Sequence, residues 1–193
     1  MGRQIRLQEG SDLKGSTHKT ASSARRGTED ILMEPSAVSS SGRRKLVIFT
    51  DGAARGNPGP SASGYMVFEN GKLVKKYAFY NGSATNNTAE YNAIIAALEW
   101  CVENVSDTHS TWITLNSDSE LVVRQMKGEY KTKSDLLKAL HNKADELAGA
   151  LGNVEFANLR RSNKYISAVD KSLNALLDNY ESDNQRAAGK PST

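Results

Sequence analysis

Four acids stand where a purely structural carboxylate is unexpected. The apolar run Leu46-Val47-Ile48-Phe49-Thr50 ends on Asp51 with no Lys or Arg beside it in the run, and an unpaired carboxylate at such a point costs solvation. Glu90 lies in the first turn of a predicted helix, Asp118 follows the short apolar run that ends at Leu115, and Asp170 lies inside the last predicted helix. Carboxylates at the ends of neighbouring strands, facing helices that cross the sheet, can converge on one point, where like charges repel unless cations are present. Hard divalent cations such as Mg²⁺ or Mn²⁺ take oxygen ligands. Two of them about 3.5–4 Å apart form the clamp used for in-line displacement at phosphorus, one activating water and the other stabilising the leaving oxygen. The chemistry indicated is phosphodiester hydrolysis. Each acid taken alone has an ordinary alternative. Asp51 could form a turn, Glu90 could favour a helix N-terminus, Asp118 could be an N-cap, and Asp170 could be a solvated helix residue. Their joint placement favours the metal reading.

The elements that must position these acids are legible from periodicity. Lys45–Thr50 reads as a strand, and Ser63–Glu69 and Lys72–Tyr80 read as two more around Asn70-Gly71, a hairpin signal because both residues tolerate positive φ. Thr88–Asn104 carries Ala89, Ile94, Ala97, Leu98 and Cys101 at helical spacing, with Asn86, Asn87 and Thr88 available as caps. Trp112–Leu115 is a short strand, and Ser119–Met126 and Ser134–Leu151 are helices, the second with Leu137, Leu140, Ala144, Leu147 and Leu151 on one stripe. Val154–Leu159 is the last strand and Tyr165–Tyr180 the last helix, with Ile166, Val169, Leu173, Leu176 and Leu177 inward. The order βββαβααβα implies an α/β fold in which a five-stranded mixed sheet is flanked by helices.

Composition bounds the rest. The chain has 193 residues, 38% hydrophobic and 24% charged, with a formal net charge of +3; this suits one globular domain with polar ends. Residues 1–44 and 183–193 are expected to be disordered, leaving one domain over 45–182. No apolar run reaches the roughly 18–20 residues of a membrane span, and no membrane association is expected. Residues 1–44 lack the apolar core of a secretory signal. Glu9, Asp12, Glu29, Asp30 and Glu34 argue against an organelle transit peptide. The single cysteine, Cys101, has no partner for a disulfide and fits a core position in a reducing, cytoplasmic setting. His18, His109 and His141 read as surface residues. Gly52, Gly56 and Gly59 permit a tight loop and a close backbone approach, but no glycine fingerprint for a nucleotide is present.

Taken together, "FTDGAARGNPGP", "TNNTAEYNAIIAALE", "NSDSELVVRQMKGEYKTK" and "VDKSLNALLD" resemble the successive motifs of type I ribonuclease H, from Lys45 to about Asp178. The resemblance is to the branch without a basic substrate-handling helix, because "MKGEYKTKSDLL" is short. It implies a ribonuclease H-like fold and a monomeric endonuclease that uses two Mg²⁺ ions, with Mn²⁺ as substitute. Such an enzyme cuts the RNA strand of an RNA-DNA hybrid and leaves 5′-phosphate and 3′-hydroxyl ends. By the same resemblance Asp51 would bridge both metals, Glu90 and Asp118 would complete one site, and Asp170 would help hold the other. Asn57, Asn86 and Asn87 would approach the hybrid's minor groove and backbone, and Thr85 a phosphate. An Asn amide suits a 2′-hydroxyl, which both donates and accepts. Glu120 stands where some relatives carry Gln, the loop before Asp170 has no His, and Asn163 lies farther upstream of Asp170 than in relatives. Lys127, Lys131 and Lys133 are candidate phosphate contacts. The rival reading is a noncatalytic module that binds hybrid or double-stranded RNA.

Overall fold

The structure, a computed structural model, describes residues 44–187 apart from 109, together with residue 189. The expectations for residues 1–43, for His18 and His109, and for 190–193 lie outside the described residues. The elements are β1 Lys45–Ala54, β2 Gly59–Glu69, β3 Lys72–Ala84, α1 Asn86–Asn104, β4 Trp112–Ser117, α2 Glu120–Met126, α3 Asp135–Leu151, β5 Val154–Asn158 and α4 Lys164–Ala187. They form one sheet in the order β3-β2-β1-β4-β5. β1 pairs antiparallel with β2 and parallel with β4, while β3 and β5 complete the edges antiparallel and parallel respectively. This is the element order and mixed sheet that periodicity predicts.

Both faces of the sheet are covered, which is why β1 is apolar at every position from Leu46 to Phe49 rather than at alternate ones. Leu46 and Ile48 join Ile94, Leu98, Leu115 and Leu151 in the core on the side of α1 and α3. Val47 and Phe49 join Met66, Phe68, Ile166, Leu173 and Leu177 on the side of α4. There Tyr165 packs on Phe49 and Phe68, with ring centroids 4.6 and 4.8 Å away. Cys101 is fully buried in the first core, and burial pushes its thiol up to about 12, so it serves as a small apolar residue. Asn70 and Gly71 take φ of 49° and 84° and close the β2–β3 hairpin as expected.

Several boundaries depart from the sequence reading, each for a tertiary reason. β1 does not end at Asp51: its parallel pairing with β4 stops at Thr50↔Ser117, but its antiparallel pairing with β2 continues to Ala54↔Ser61. α1 starts at Asn86, so Glu90 lies in its second turn, and the cap is Thr85, whose Oγ1 accepts from the Thr88 N–H at 3.2 Å. Asn86 and Asn87 are therefore helical residues and not caps. α4 runs to Ala187, past the boundary expected at 182. The segment after Tyr180 contains no Gly or Pro before Gly189, and Arg55 pairs with Asp178 and Glu181 on that half of the helix. His141 is half-buried and not a surface residue. Its Nε2 lies 3.1 Å from the Gln125 carbonyl, and the Gln125 side chain in turn accepts from the buried Tyr91 hydroxyl at 2.8 Å, tying α1, α2 and α3 together.

Candidate metal and nucleic-acid site

Asp51 and Asp118 are the residues that follow the last parallel pair of β1 and β4, Thr50↔Ser117. Two adjacent strands thus deliver one carboxylate each to the same end of the sheet. Glu90 is brought to them by an unusually close helix. An ideal Cβ on Gly52 would lie 2.2 Å from the Glu90 backbone nitrogen and 2.3 Å from the Ala89 carbonyl carbon, so only glycine lets α1 lie on β1 beside Asp51. The same turn of α1 is held from behind by the Ser63 hydroxyl, which donates to the Ala89 carbonyl at 2.6 Å. Ser63 is itself contacted by Asn81, and Asn81 by Asn92. Asp170 enters on α4, whose start is set by Asn163: its Oδ1 accepts from the Tyr165 N–H at 3.0 Å.

The electrostatics show that these acids share one space. Asp51 is 3% exposed, and burial, reinforced by the charges of Asp118 and Asp170, raises its carboxyl from 3.8 to about 8. Glu90, 8% exposed, is raised by burial and by Asp118 to about 7, against hydrogen bonds from Ser119 and Asn86 that favour its charge. Burial raises Asp118 as well. Arg161 offsets these penalties. Its Nη2 bonds Asp170 Oδ1 at 2.8 Å, and its charge favours ionisation of Asp51, Glu90 and Asp118.

A divalent cation fits this donor set. Asp51 Oδ2, Glu90 Oε2 and Asp118 Oδ1 are buried without a hydrogen-bond partner, an arrangement that costs several kcal/mol per charge unless a cation compensates it. Among the described residues no group of three or more acid, His or Cys side chains stands at ligating spacing. The fit therefore rests on three orphaned hard oxygens from β1, α1 and the end of β4.

The polar residues expected to meet nucleic acid gather at one edge of this cluster. Asn57, exposed on the β1–β2 connection, accepts from the Asn86 N–H at 3.3 Å through its side-chain oxygen. The Asn86 amide donates to Glu90 Oε1 at 2.7 Å. Thr85 caps the helix, and Asn87 follows on its first turn. Glu120 is turned to Arg124, 2.8 Å away, and Lys127, Lys131 and Lys133 are exposed. Sequence reasoning did not single out Arg161 or the Ser63-Asn81-Asn92 chain. The available signal for Arg161 was a basic residue just before the cap of the helix that carries an acid; the Asn chain offers none, because three elements must meet to form it.

The ribonuclease H family profile matches residues 43–169 and so ends one residue before Asp170. Ribonuclease HI of Halobacterium salinarum is 36% identical over 131 residues, spanning 67% of this chain and 63% of that protein. The bifunctional protein Rv2228c of Mycobacterium tuberculosis is 34% identical over 137 residues, which are 69% of this chain and 36% of the relative. The chain thus spans less than two thirds of these relatives' lengths. The crystal structure of LC11-RNase H1 in complex with RNA/DNA hybrid, an enzyme isolated from compost by a metagenomic approach, superposes with a TM-score of 0.63 at 34% identity, covering 70% of this chain and 98% of that one. With its sheet order, its helices and more than half its length matched, the chain belongs to the ribonuclease H family.

Proposed function

We propose that this chain is an endoribonuclease that hydrolyses the RNA strand of RNA-DNA hybrids with two Mg²⁺ ions, Mn²⁺ serving as a substitute, and leaves 5′-phosphate and 3′-hydroxyl ends. The observation that carries the reading is the set of orphaned carboxylate oxygens on Asp51, Glu90 and Asp118 beside the exposed Asn57–Asn86 contact. Asp51, Glu90, Asp118 and Asp170 would hold the ions. Bound there, the ions would supply activation of water and neutralisation of the leaving oxygen. The chain's own residues do the remaining work. Asn57, Asn86 and Asn87 offer amides to 2′-hydroxyls, which separates RNA from DNA without reading sequence. Thr85 receives a phosphate. Asn86 also fixes the Glu90 carboxylate through its 2.7 Å bond, so one residue both offers a substrate contact and steadies a metal ligand. LC11-RNase H1, similar to this chain, has been solved with such a hybrid. Among the described residues no helix is long and apolar enough to cross a membrane, and Cys101 is a free, buried cysteine; the reading places the chain in the cytoplasm as a monomer.

The test is cleavage of an end-labelled RNA-DNA hybrid with Mg²⁺ beside double-stranded RNA, double-stranded DNA and single-stranded RNA. Cutting confined to the RNA strand of the hybrid and lost in Asp51→Asn is expected. Hybrid binding without cutting in either Mg²⁺ or Mn²⁺ would overturn the proposal in favour of a noncatalytic binding module.

A further inference from the structure

Arg161 has no part in the reading above, yet it acts on all four acids. It bonds Asp170 directly and favours the charged forms of Asp51, Glu90 and Asp118. Its backbone is pinned from both sides. The Asn158 amide and the Leu159 N–H donate to the Ser117 carbonyl at 3.1 and 3.0 Å, next to Asp118, and Asn163 begins α4 two residues later. Its side chain is 72% exposed, against 23% for Asp170. A fixed stem with a solvent-facing head can release its partner without disturbing the fold. The two heads meet through Arg161 Nη2 and Asp170 Oδ1 at 2.8 Å.

We infer that Arg161 is a displaceable counter-cation. In the metal-free chain it neutralises Asp170 and shields the other acids, and it must surrender the Asp170 oxygen when a divalent ion enters, because a guanidinium and a hard dication repel each other at one carboxylate. Arg161 is thus a positioning residue that sets how readily the site loads. The inference rests on the reading of the acids as metal ligands and adds to it a residue that opposes the metal.

The experiment is thermal unfolding of the full chain, without nucleic acid and at fixed ionic strength, in EDTA and across a Mg²⁺ titration. It compares wild type, Arg161→Gln, Arg161→Lys and, as a charge control one residue away, Arg160→Gln. In EDTA, Arg161→Gln unfolds at a lower temperature than wild type. The gap closes as Mg²⁺ saturates, and half-maximal stabilisation is reached at about 3- to 5-fold less Mg²⁺, the ratio that a partly exposed ion pair contributes. Arg161→Lys falls between the two. A gap of equal size with and without Mg²⁺ would make Arg161 a structural ion pair and overturn the inference. An equal gain in Arg160→Gln would reduce it to general charge and overturn it as well. No stabilisation of any variant by Mg²⁺ or Mn²⁺ would also sink it, whereas Mg²⁺-dependent hybrid cleavage that needs Asp51 would in that case leave the proposed function standing.

Discussion

Replacing the most deeply placed acid should stabilise the metal-free protein, which is the reverse of what loss of a well-bonded core residue does. Asp51 has a folded value of about 8 against an ordinary 3.8. Below pH 3.8 the carboxyl is protonated in the folded and the unfolded chain alike, and no penalty exists. As pH rises from 3.8 towards 8 the unfolded chain releases its proton while the folded chain retains it, so stability falls, and the loss is complete above the folded value. At 1.36 kcal/mol per unit the ceiling is about 5–6 kcal/mol. Relaxation and water entry into the ionised cluster reduce this to about 2–3 kcal/mol. Asp51→Asn keeps the shape and cannot ionise. In EDTA it should match wild type near pH 4 and unfold roughly 5–10 °C higher at pH 8.5, given about 2–4 °C per kcal/mol for a chain of this size. Saturating Mg²⁺ should reverse the order, since binding to the native state stabilises only the protein that retains its ligand. Scanning calorimetry from pH 4 to 9 in EDTA reads this directly. A variant below wild type at pH 8.5, or a gap independent of pH, would refute the burial argument.

Three further outcomes follow from the packing. Gly52→Ala sets a methyl 2.2 Å from the Glu90 nitrogen, so α1 must lift from β1; a loss of about 3 kcal/mol in chemical denaturation is expected, together with a fall in hybrid cleavage that persists at temperatures where the variant is fully folded. Asn163→Ala removes the acceptor for the Tyr165 N–H and should cost about 1 kcal/mol, with hydrogen exchange at 164–167 faster by about fivefold. Tyr91→Phe leaves the buried Gln125 oxygen without its donor and should lower stability by about 1–2 kcal/mol, read as a shift in the urea midpoint at constant slope.

The elements were legible where burial and periodicity agree. Continuous apolarity from Leu46 to Phe49 announces a strand covered on both faces, and Ile166, Val169, Leu173 and Leu177 announce the inward stripe of α4, all buried as predicted. Element ends were not legible where tertiary pairing overrides propensity. Gly52-Ala53-Ala54 has little strand preference of its own and is extended because Ala62 and Ser61 pair with it. Asn86 and Asn87 are poor helix formers, and they are helical because Thr85 caps the turn before Glu90. The acids could be named from their places relative to strands and helices. Arg161 could not, because an Arg before a helix cap is commonplace and its meaning arises only when Asp170 lies within 2.8 Å of it.

The ties of Arg55 to Asp178 and Glu181 link two parts of the molecule that are distant in sequence. Arg55 begins the connection that carries Asn57, and it grips the later half of the helix whose earlier half carries Asp170. Tyr80, near the end of β3, stacks on Tyr180 of the same helix with ring centroids 3.9 Å apart. Together these contacts join the start of the loop that presents Asn57 and the end of β3 to the helix that carries Asp170. The far end of α4 therefore works as a tie-rod. Ending the chain before Asp178 would keep all four acids yet remove both carboxylates that hold Arg55, the residue from which the loop departs.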